Sequence, residues 1–470
     1  MSNPQIVWLR RDLRMKDQPA LHAAAEAGPV VPVYVLDDDR PKQSGSDRCF
    51  GGAHRWWLHH SLESLGKSFG ARNGSIVLRR GDSVSVLASI ADEIGAEAVH
   101  ANRHYEPWWR EAEEELKDAL PDGCELVLHD GNYLMPPGTA TTGSGDPYKI
   151  YTPFSKAMLD LFPPRDELPE PDTISQPSDM PDSDDLSDWD LLPTKPDWAA
   201  GFREFWKVGE DAAHDRLEWW ADEVAAYDES RNLPSKDETS QMSPHLHWGE
   251  ISPVTIWHRL KDKRSGGWKT YEKELIWRDY AQNIIMQFPK YPDQSYRDYD
   301  EQVLWRHPNR GHLIQEELEA WQQGRTGYPI VDAGMRQLWK TGWMHNRVRM
   351  IAASFLIKHL LIDWRHGERW YWDCLVDGDY ASNGTNWQWV AGTGVDSNMF
   401  PRIMAPLSQS EKFDAADYIR QYVPELSDLS DEDIHDPPEG KRPDDYPEKI
   451  IGHKEARERA LQAYRDSKGE

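Results

Sequence analysis

The stretch "SIVLRRGDSVSVLASIADEIGAEAVHANR", residues 75–103, contains two short apolar segments separated by one amphipathic segment. The outer segments, 75–81 and 97–103, have the length and composition of buried strands. The middle segment, 83–95, places its apolar residues at helical spacing. A strand, a helix and a second strand in this order are typical of parallel strands in one sheet, since parallel strands need a long crossover connection.

The same alternation continues on both sides of this stretch. Further strand-like segments occur at 5–10, 30–36 and 125–130. Five strands with helical crossovers predict an N-terminal α/β domain over 1–130, built on a doubly wound parallel sheet. The sheet is Rossmann-like, but no GxGxxG follows its first strand, so the usual mode of dinucleotide binding is not indicated.

Beyond residue 130 we predict a connector over 131–200, an all-α domain over 201–425 and an acidic C-terminal extension over 426–470. Residues 165–190 hold ten carboxylates and one arginine, and 425–448 is similarly acidic and rich in proline. Both segments are typical of exposed linker or surface coil. Helical spacing is seen at 212–227, 252–263, 271–288, 312–324, 330–342 and 346–362.

Composition limits the class of protein. The net charge of -27 argues against nucleic acid, yet 231–412 is close to neutral and leaves room for a local basic groove. No apolar run reaches the roughly 18 residues of a membrane span, and no signal sequence is evident, so we expect a cytoplasmic protein. Three distant cysteines cannot form a four-thiolate cluster. The 23 tryptophans, against 10 phenylalanines, suggest redox chemistry or base stacking.

Four motifs lie in the helical part. "TSQMSPHLHWGEISP", 239–253, offers hydroxyls that suit a phosphate or simply cap a helix. "ELIWRDY" places Glu274, Trp277 and Arg278 on one helical face, as a site or as a surface ion pair beside a half-buried tryptophan. In "GYPIVDAGMRQLWKTGWMHNRVRM", 327–350, the last helix presents two arginines, an amide and a thioether opposite Val348, which favours a pocket for an anionic or aromatic ligand.

The fourth motif is "DGDYASNGTNWQW", 377–389. As a metal loop it would use Asp377, Asp379 and Asn383, but the spacing and closing glutamate of an EF-hand are missing. We predict that "GTN" forms a helix-breaking turn before Trp387 and Trp389. A metal site leaves both tryptophans unexplained.

In this order, the four motifs resemble the photolyase/cryptochrome family, most closely the bacterial class I cyclobutane pyrimidine dimer photolyases. The resemblance also includes "VWLRRDLRMKDQPAL" at the first strand and covers nearly the whole chain. It implies an antenna-type α/β domain and a helical domain that binds one FAD. It further implies light-dependent repair of dimers in DNA by electron transfer from excited FADH⁻, by a monomer that takes up the dimer flipped out of the duplex.

The resemblance assigns roles residue by residue. Asp379 would accept the flavin N3 hydrogen, Asp377 would pair with Arg349, and Asn383 would face flavin N5, where asparagine favours repair over signalling. The implied FAD contacts are Tyr227, Thr239, Ser240, Met242, Ser243, Arg278, Asn346, Arg349, Asp377, Asp379 and Asn383.

The tryptophans divide into two implied tasks. Trp387, Trp364 and Trp305 match the family's electron-transfer triad, which leads from the flavin to the surface. Glu274 would donate a hydrogen bond to the dimer, and Arg347, Arg402 and Lys412 would meet phosphates. The implied substrate contacts are Glu274, Trp277, Asn346, Arg347, Met350 and Trp389.

Several alternatives stay open. Tyr105 and Glu106 lie where the family often binds an antenna, but they do not decide between a folate, a deazaflavin and FMN. A blue-light-sensing cryptochrome would use the same flavin and triad. An enzyme for (6-4) photoproducts and a metal-dependent transferase built on Asp377 and Asp379 are the remaining candidates.

Overall fold

The computed structural model describes residues 3–397 and 400–469. The strands are β1 (Gln5–Leu9), β2 (Val30–Leu36), β3 (Val77–Arg80), β4 (Ala98–Asn102) and β5 (Glu125–His129). The helices are α1 (Pro19–Ala27), α2 (Arg40–Gln43), α3 (Gly52–Gly70), α4 (Ser83–Ile94), α5 (Pro107–Ala119), α6 (Tyr151–Asp160), α7 (Ala200–Phe205), α8 (Glu210–Glu223), α9 (Tyr227–Ser230), α10 (Ser243–Trp248), α11 (Pro253–Leu260), α12 (Gly266–Gln287), α13 (Glu301–Leu304), α14 (His312–Gln322), α15 (Pro329–Thr341), α16 (Asn346–Ser354), α17 (Trp364–Cys374), α18 (Tyr380–Ala391), α19 (Pro406–Lys412), α20 (Ala416–Tyr422) and α21 (His453–Asp466). Short 3-10 turns occur at Leu186–Trp189, Val224–Ala226, Pro308–Arg310 and Pro424–Leu426, and a π-helical turn occurs at Phe355–His359.

The N-terminal sheet is parallel and has the strand order β3-β2-β1-β4-β5, which confirms the predicted doubly wound fold. β1 lies in the middle, where Gln5 is paired with Val30 on one side and with Ala98 on the other. All residues of β1, β2 and β4 are buried, as expected for strands covered by helices on both faces. The chain order reverses between β1 and β4, and such a switch point is where ligands bind in open α/β sheets.

Two compact units make up the chain. The first contains the described residues of Met1–Asp197 with Trp206–Ala226 and Ser240–Pro289, and the second contains Trp198–Phe205, Tyr227–Thr239 and the described residues of Lys290–Glu470. These units cut across the domains 1–130, 131–200, 201–425 and 426–470 that we predicted. α8 and α10–α12 join the first unit because α12 packs against α6 and against the turn at 224–226.

The acidic segments are mostly irregular and largely exposed, as predicted for surface coil, but contacts within each unit anchor them. In the first unit, Ile174 is 5% exposed and its backbone N–H donates to Arg72 O, while Asp184 N–H donates to Leu78 O beside the sheet edge. In the second unit, Tyr446 is 3% exposed and its hydroxyl donates to Asp332. A few apolar anchors and backbone hydrogen bonds therefore fix these segments, and some of their carboxylates form ion pairs, such as Glu170 with Arg72 and Glu425 with Arg336.

Asp332 organises the "TGYP" turn that precedes α15. It is fully buried and accepts hydrogen bonds from the backbone and hydroxyl of Thr326, from Gly327 N–H and from the Tyr446 hydroxyl. Burial raises the pKa of this carboxyl. α15 then packs against α16 and α20 in the apolar core of the second unit. No helix among the described residues is long and apolar enough to cross a membrane.

Candidate functional site

The motif residues Glu274, Trp277 and Arg278 lie on α12 in the first unit, as the helical spacing predicted. Arg278 donates to two backbone carbonyls, Asn132 O at 2.5 Å and Leu246 O at 3.0 Å, and its guanidinium lies 4.6 Å from the Tyr133 ring centroid. Glu274 and Trp277 are half-buried. Arg278 thus holds α12 against the segments of Asn132 and Leu246. Its side chain is fixed by these contacts and is not a solvated surface arginine.

The hydroxyl-rich motif begins where the two units divide, since Thr239 belongs to the second unit and Ser240 to the first. The Ser240 hydroxyl accepts from Met242 N–H at 3.3 Å, and its carbonyl accepts from Arg216 at 2.7 Å. Met242 is fully buried, whereas Ser243 is exposed at the start of α10. Ser252 caps α11 through Val254 N–H, so this hydroxyl of the motif serves as a helix cap.

α16 in the second unit carries the predicted polar face. His345 caps this helix: its Nδ1 accepts from Arg347 N–H at 3.2 Å, which leaves the proton on Nε2. That Nε2 is buried without a hydrogen-bond partner among the described residues, and burial, with Arg347, Arg349 and Arg231 nearby, lowers the pKa of His345 to about 4. Val348 is fully buried on the opposite side, as expected.

Arg347 is held in place by its neighbours in the second unit. Its Nε and an Nη donate to Asn232 Oδ1 at 3.1 and 2.7 Å, and its guanidinium lies 4.6 Å from the Phe413 ring centroid. The Lys412 ammonium lies 5.3 Å from the same ring. Burial, together with Arg231, lowers the pKa of Arg347. A local basic cluster therefore exists despite the acidic total, and Arg402 is also exposed in this unit.

The predicted ion pair between Arg349 and Asp377 is present. An Arg349 Nη lies 2.9 Å from Asp377 Oδ2, and the Asp377 side chain is 4% exposed. Arg349 Nε also donates to Met344 O at 2.7 Å. Asp379 caps α18 by accepting from Ser382 N–H at 2.7 Å. Both carboxylates of the proposed metal loop thus have structural partners, and no group of three or more metal-ligating side chains was found in the described parts of the chain.

Asn383 has a fixed orientation. Its amide nitrogen donates to both the backbone oxygen and Oε1 of Glu368, each at 2.9 Å. Since both amide hydrogens are used, Asn383 can offer only its oxygen to a ligand. Glu368 is fully buried. The sequence analysis missed it because Glu368 lies on α17, fifteen positions before Asn383 on α18, so no local spacing connects the two residues.

The predicted helix-breaking turn at "GTN" is wrong, because α18 runs without interruption from Tyr380 to Ala391. A Cβ on Gly384 would lie 2.7 Å from Pro292, so this glycine permits close packing instead of ending the helix. Two positions on a continuous helix lie about 200° apart. Accordingly Trp387 is 2% exposed in the core, while Trp389 is half-buried.

The second unit brings the three triad tryptophans into adjoining segments. The Trp387 indole packs so closely on Gly367 that a Cβ there would lie 2.1 Å away, and Gly367 lies one turn after Trp364 on α17. Arg306 and Ile362 form a parallel bridge, which joins the segments of Trp305 and Trp364.

The outer end of the triad differs from expectation. Trp305 is 3% exposed, so its ring does not lie at the surface as predicted. Phe400 covers it at 6.0 Å between ring centroids, and Phe400 stacks in turn on Tyr464 of α21 at 5.1 Å. Phe400, itself stacked on the C-terminal helix α21, thus covers this end of the triad.

The remaining assigned residues lie as follows. Tyr227 begins α9, with the Arg231 guanidinium 5.2 Å from its ring centroid. On α16, Asn346 is exposed and Met350 is half-buried. In the first unit, Glu106 is fully buried in an ion pair with Arg11, and the Tyr105 hydroxyl donates to Asp130 at 3.2 Å. The Glu106 carboxylate is therefore engaged within the protein.

Comparisons with known proteins agree with this arrangement. Family models for DNA photolyase and for the FAD binding domain of DNA photolyase match residues 5–172 and 271–466. A deoxyribodipyrimidine photo-lyase of Agrobacterium fabrum is 44% identical over 98% of this chain and 97% of its own length, and cryptochrome-1 of Arabidopsis thaliana is 32% identical over 97% and 70%. The crystal structure of a bacterial class III photolyase from Agrobacterium tumefaciens has a TM-score of 0.92 at 42% identity, covering 100% of this chain and 98% of that chain.

Proposed function

Because this chain belongs to the DNA photolyase family, we propose that it is a deoxyribodipyrimidine photo-lyase that repairs cyclobutane pyrimidine dimers in DNA. Reduced FAD, when bound, absorbs light and supplies the electron that splits the dimer. The observation that carries the proposal is the fixed orientation of the Asn383 amide, which donates to Glu368. Asn383 lies on α18, the helix that also carries Trp387 and Trp389. One helix thus connects the proposed flavin contact, electron path and substrate contact.

The donor set of the second unit fits a flavin. The Asn383 oxygen can accept a hydrogen bond from an N–H such as that at flavin N5, and its fixed amide cannot turn a donor toward it. His345 Nε2–H is a buried donor without a partner among the described residues, as expected beside a polar ligand. The Arg349–Asp377 pair supplies a fixed charge distribution that suits a heterocycle edge.

We assign binding of FAD to the residues implied by the family motifs, from Tyr227 to Asn383. Arg278 and the hydroxyls of Thr239, Ser240 and Ser243 are suited to the pyrophosphate, since guanidinium and hydroxyl groups donate to phosphate oxygens. The Asp379 carboxylate, which caps α18 through Ser382 N–H, has about four acceptor positions and is assigned to the flavin N3 hydrogen.

For the lesion, we assign the aromatic surfaces of Trp277 and Trp389, with Glu274, Asn346 and Met350 as polar and thioether contacts. Trp277 and Trp389 are both half-buried, so each ring keeps a solvent-accessible part. Arg347 and Lys412 around Phe413 provide positive charge for the DNA backbone. Phosphate contacts give affinity, and stacking on the tryptophans gives preference for the lesion.

Trp387, Trp364 and Trp305 would carry an electron toward oxidised flavin, since they lie on adjoining segments of the second unit.

A blue-light sensor is the second candidate function, because a plant cryptochrome is similar over 97% of this chain. The asparagine at 383 favours repair. An antenna at the carboxyl ends of β1 and β4 is consistent with the family, and its chemical type is undecided between folate, deazaflavin and FMN.

The test is direct. Holoenzyme with chemically reduced FAD is illuminated with oligothymidylate that carries cyclobutane dimers, and the recovery of thymine absorbance is followed. A parallel substrate with (6-4) photoproducts should remain unrepaired. Failure to remove cyclobutane dimers under these conditions would overturn the proposal, and photoreduction of FAD without repair of either lesion would support the sensor instead.

A further inference from the structure

The ring of Trp277 is stacked face to face on Tyr151 in the first unit. Their centroids lie 3.5 Å apart and their planes differ by 3°. Tyr151 is the first residue of α6, within the 131–200 segment that the sequence predicts to be only a connector. The connector therefore supplies an aromatic partner for a residue that we assign to the lesion.

The two rings are stacked with little lateral offset. Their centroids lie 3.5 Å apart, which is about the distance between the planes of two stacked rings, so the centroids lie almost directly above each other. Aromatic pairs generally prefer offset or edge-to-face arrangements, so neighbouring groups must hold the two rings in register. Tyr280 does so: its ring stands at 84° to Trp277, 5.3 Å away, and at 81° to Tyr151, 5.6 Å away. Phe154 of α6 is 3% exposed and packs 5.4 Å from Tyr280.

A hydrogen bond holds Tyr151 to the helix that carries Trp277. The Tyr151 hydroxyl donates to Lys273 O at 3.0 Å, and Lys273 lies one helical turn before Trp277 on α12. The tyrosine is thus attached to α12 through its hydroxyl and to the indole through its ring. The Trp277 side chain has two rotatable bonds, and a ring stacked on one face restricts both of them.

We propose that Tyr151 is a positioning residue that holds Trp277 in the orientation in which it stacks on the damaged bases. Stacking of a base on an aromatic side chain contributes about 1–3 kcal/mol, provided that the ring does not first have to be ordered. Tyr151 meets this ordering cost in the free protein and thereby raises the preference for dimer-containing over undamaged DNA. The inference rests on the proposed function, specifically on the assignment of Trp277 to the lesion.

The experiment measures dark binding of FAD-loaded protein to an oligonucleotide with one cyclobutane dimer and to its undamaged counterpart. Tyr151→Ala should weaken binding of the damaged strand about 2- to 13-fold, the range of an aromatic pair, and leave undamaged binding unchanged. Tyr151→Phe keeps the ring and should restore most of the preference. Leu159→Ala is the matched control, because Leu159 is 42% exposed on the same helix.

The inference is overturned if Tyr151→Ala binds the dimer equally well or more tightly, the latter meaning that Tyr151 blocks the stacking face. An equal loss for both oligonucleotides would also overturn it, since that indicates a general effect on the fold. Flavin content and thermal unfolding identify misfolded protein, and Tyr151→Leu carries the same expectation should the alanine variant be unstable.

A double-mutant cycle separates this inference from the proposed function. Trp277→Ala should lose the preference for damaged DNA, and adding Tyr151→Ala to it should cause no further loss, because the two act through one contact. Normal dimer binding by Trp277→Ala would refute its assignment to the lesion. A loss with Trp277→Ala but none with Tyr151→Ala would refute only the role of Tyr151.

Discussion

The N-cap histidine of α16 should make the stability of the second unit depend on pH. Burial, and then the charges of Arg347, Arg349 and Arg231, lowers the pKa of His345 from 6.5 to about 4. In the unfolded chain the imidazole binds a proton near pH 6.5, so between these values the unfolded state holds more protons than the folded one. The free energy of unfolding therefore falls as the pH falls through this window.

The size of the effect follows from the difference in pKa. A shift of about 2.5 units corresponds to about 3.4 kcal/mol when His345 is protonated in both states, and to about 2 kcal/mol at pH 5 relative to pH 8. His345→Asn removes the titrating group and keeps an acceptor for Arg347 N–H, because asparagine is a favourable N-cap. His100 and His359, whose pKa values burial also lowers, are present in both proteins and cancel.

The assay is equilibrium urea unfolding of wild type and His345→Asn at pH 8, 6.5 and 5. The wild type should lose about 2 kcal/mol relative to the variant between pH 8 and pH 5. If the difference in unfolding free energy between the two proteins stays constant over this range, the prediction is wrong, since His345 would then titrate alike in the folded and unfolded states.

Three further predictions concern the second unit. Trp387→Phe should slow photoreduction of oxidised FAD and spare repair by chemically reduced protein, while Trp220→Phe in the first unit should leave photoreduction unchanged. Arg347→Ala should weaken binding to damaged and undamaged DNA alike and reduce the slope of log affinity against log salt by about 1, as measured by titration at several salt concentrations. Gly384→Ala should lower the free energy of unfolding by about 1–3 kcal/mol, because its Cβ would lie 2.7 Å from Pro292; an unchanged urea midpoint would contradict this packing.

Local patterns were sufficient to predict the five strands and several of the helices. Each of the five strands lies within its predicted segment, and the helix at 271–288 is α12 with five more residues at its start. Periodicity also placed Val348 opposite the polar face of α16 correctly. These features depend on residues within one or two turns of each other, where side-chain spacing determines which residues share a face.

Features that depend on distant residues could not be predicted from the sequence. Composition predicts exposed linker or surface coil for the acidic segments, and their contacts with distant residues such as Arg72, Leu78 and Asp332 show that they are anchored. Trp305 looks like a surface terminus until Phe400 covers it. Glu368 and Tyr151 carry no recognisable motif, because their importance comes from what they contact and not from their own spacing.

The continuity of α18 determines the directions in which Trp387 and Trp389 point. If the helix ended at Gly384, Trp387 and Trp389 would be two neighbouring rings in a loop. Their positions would then give no reason to assign one to electron transfer and the other to stacking. On a helix they point in nearly opposite directions, one into the core beside α17 and the other toward a half-exposed surface. The separation of an electron-transfer residue from a stacking residue therefore depends on Gly384, which lacks a side chain and so lets the helix pass Pro292 unbroken.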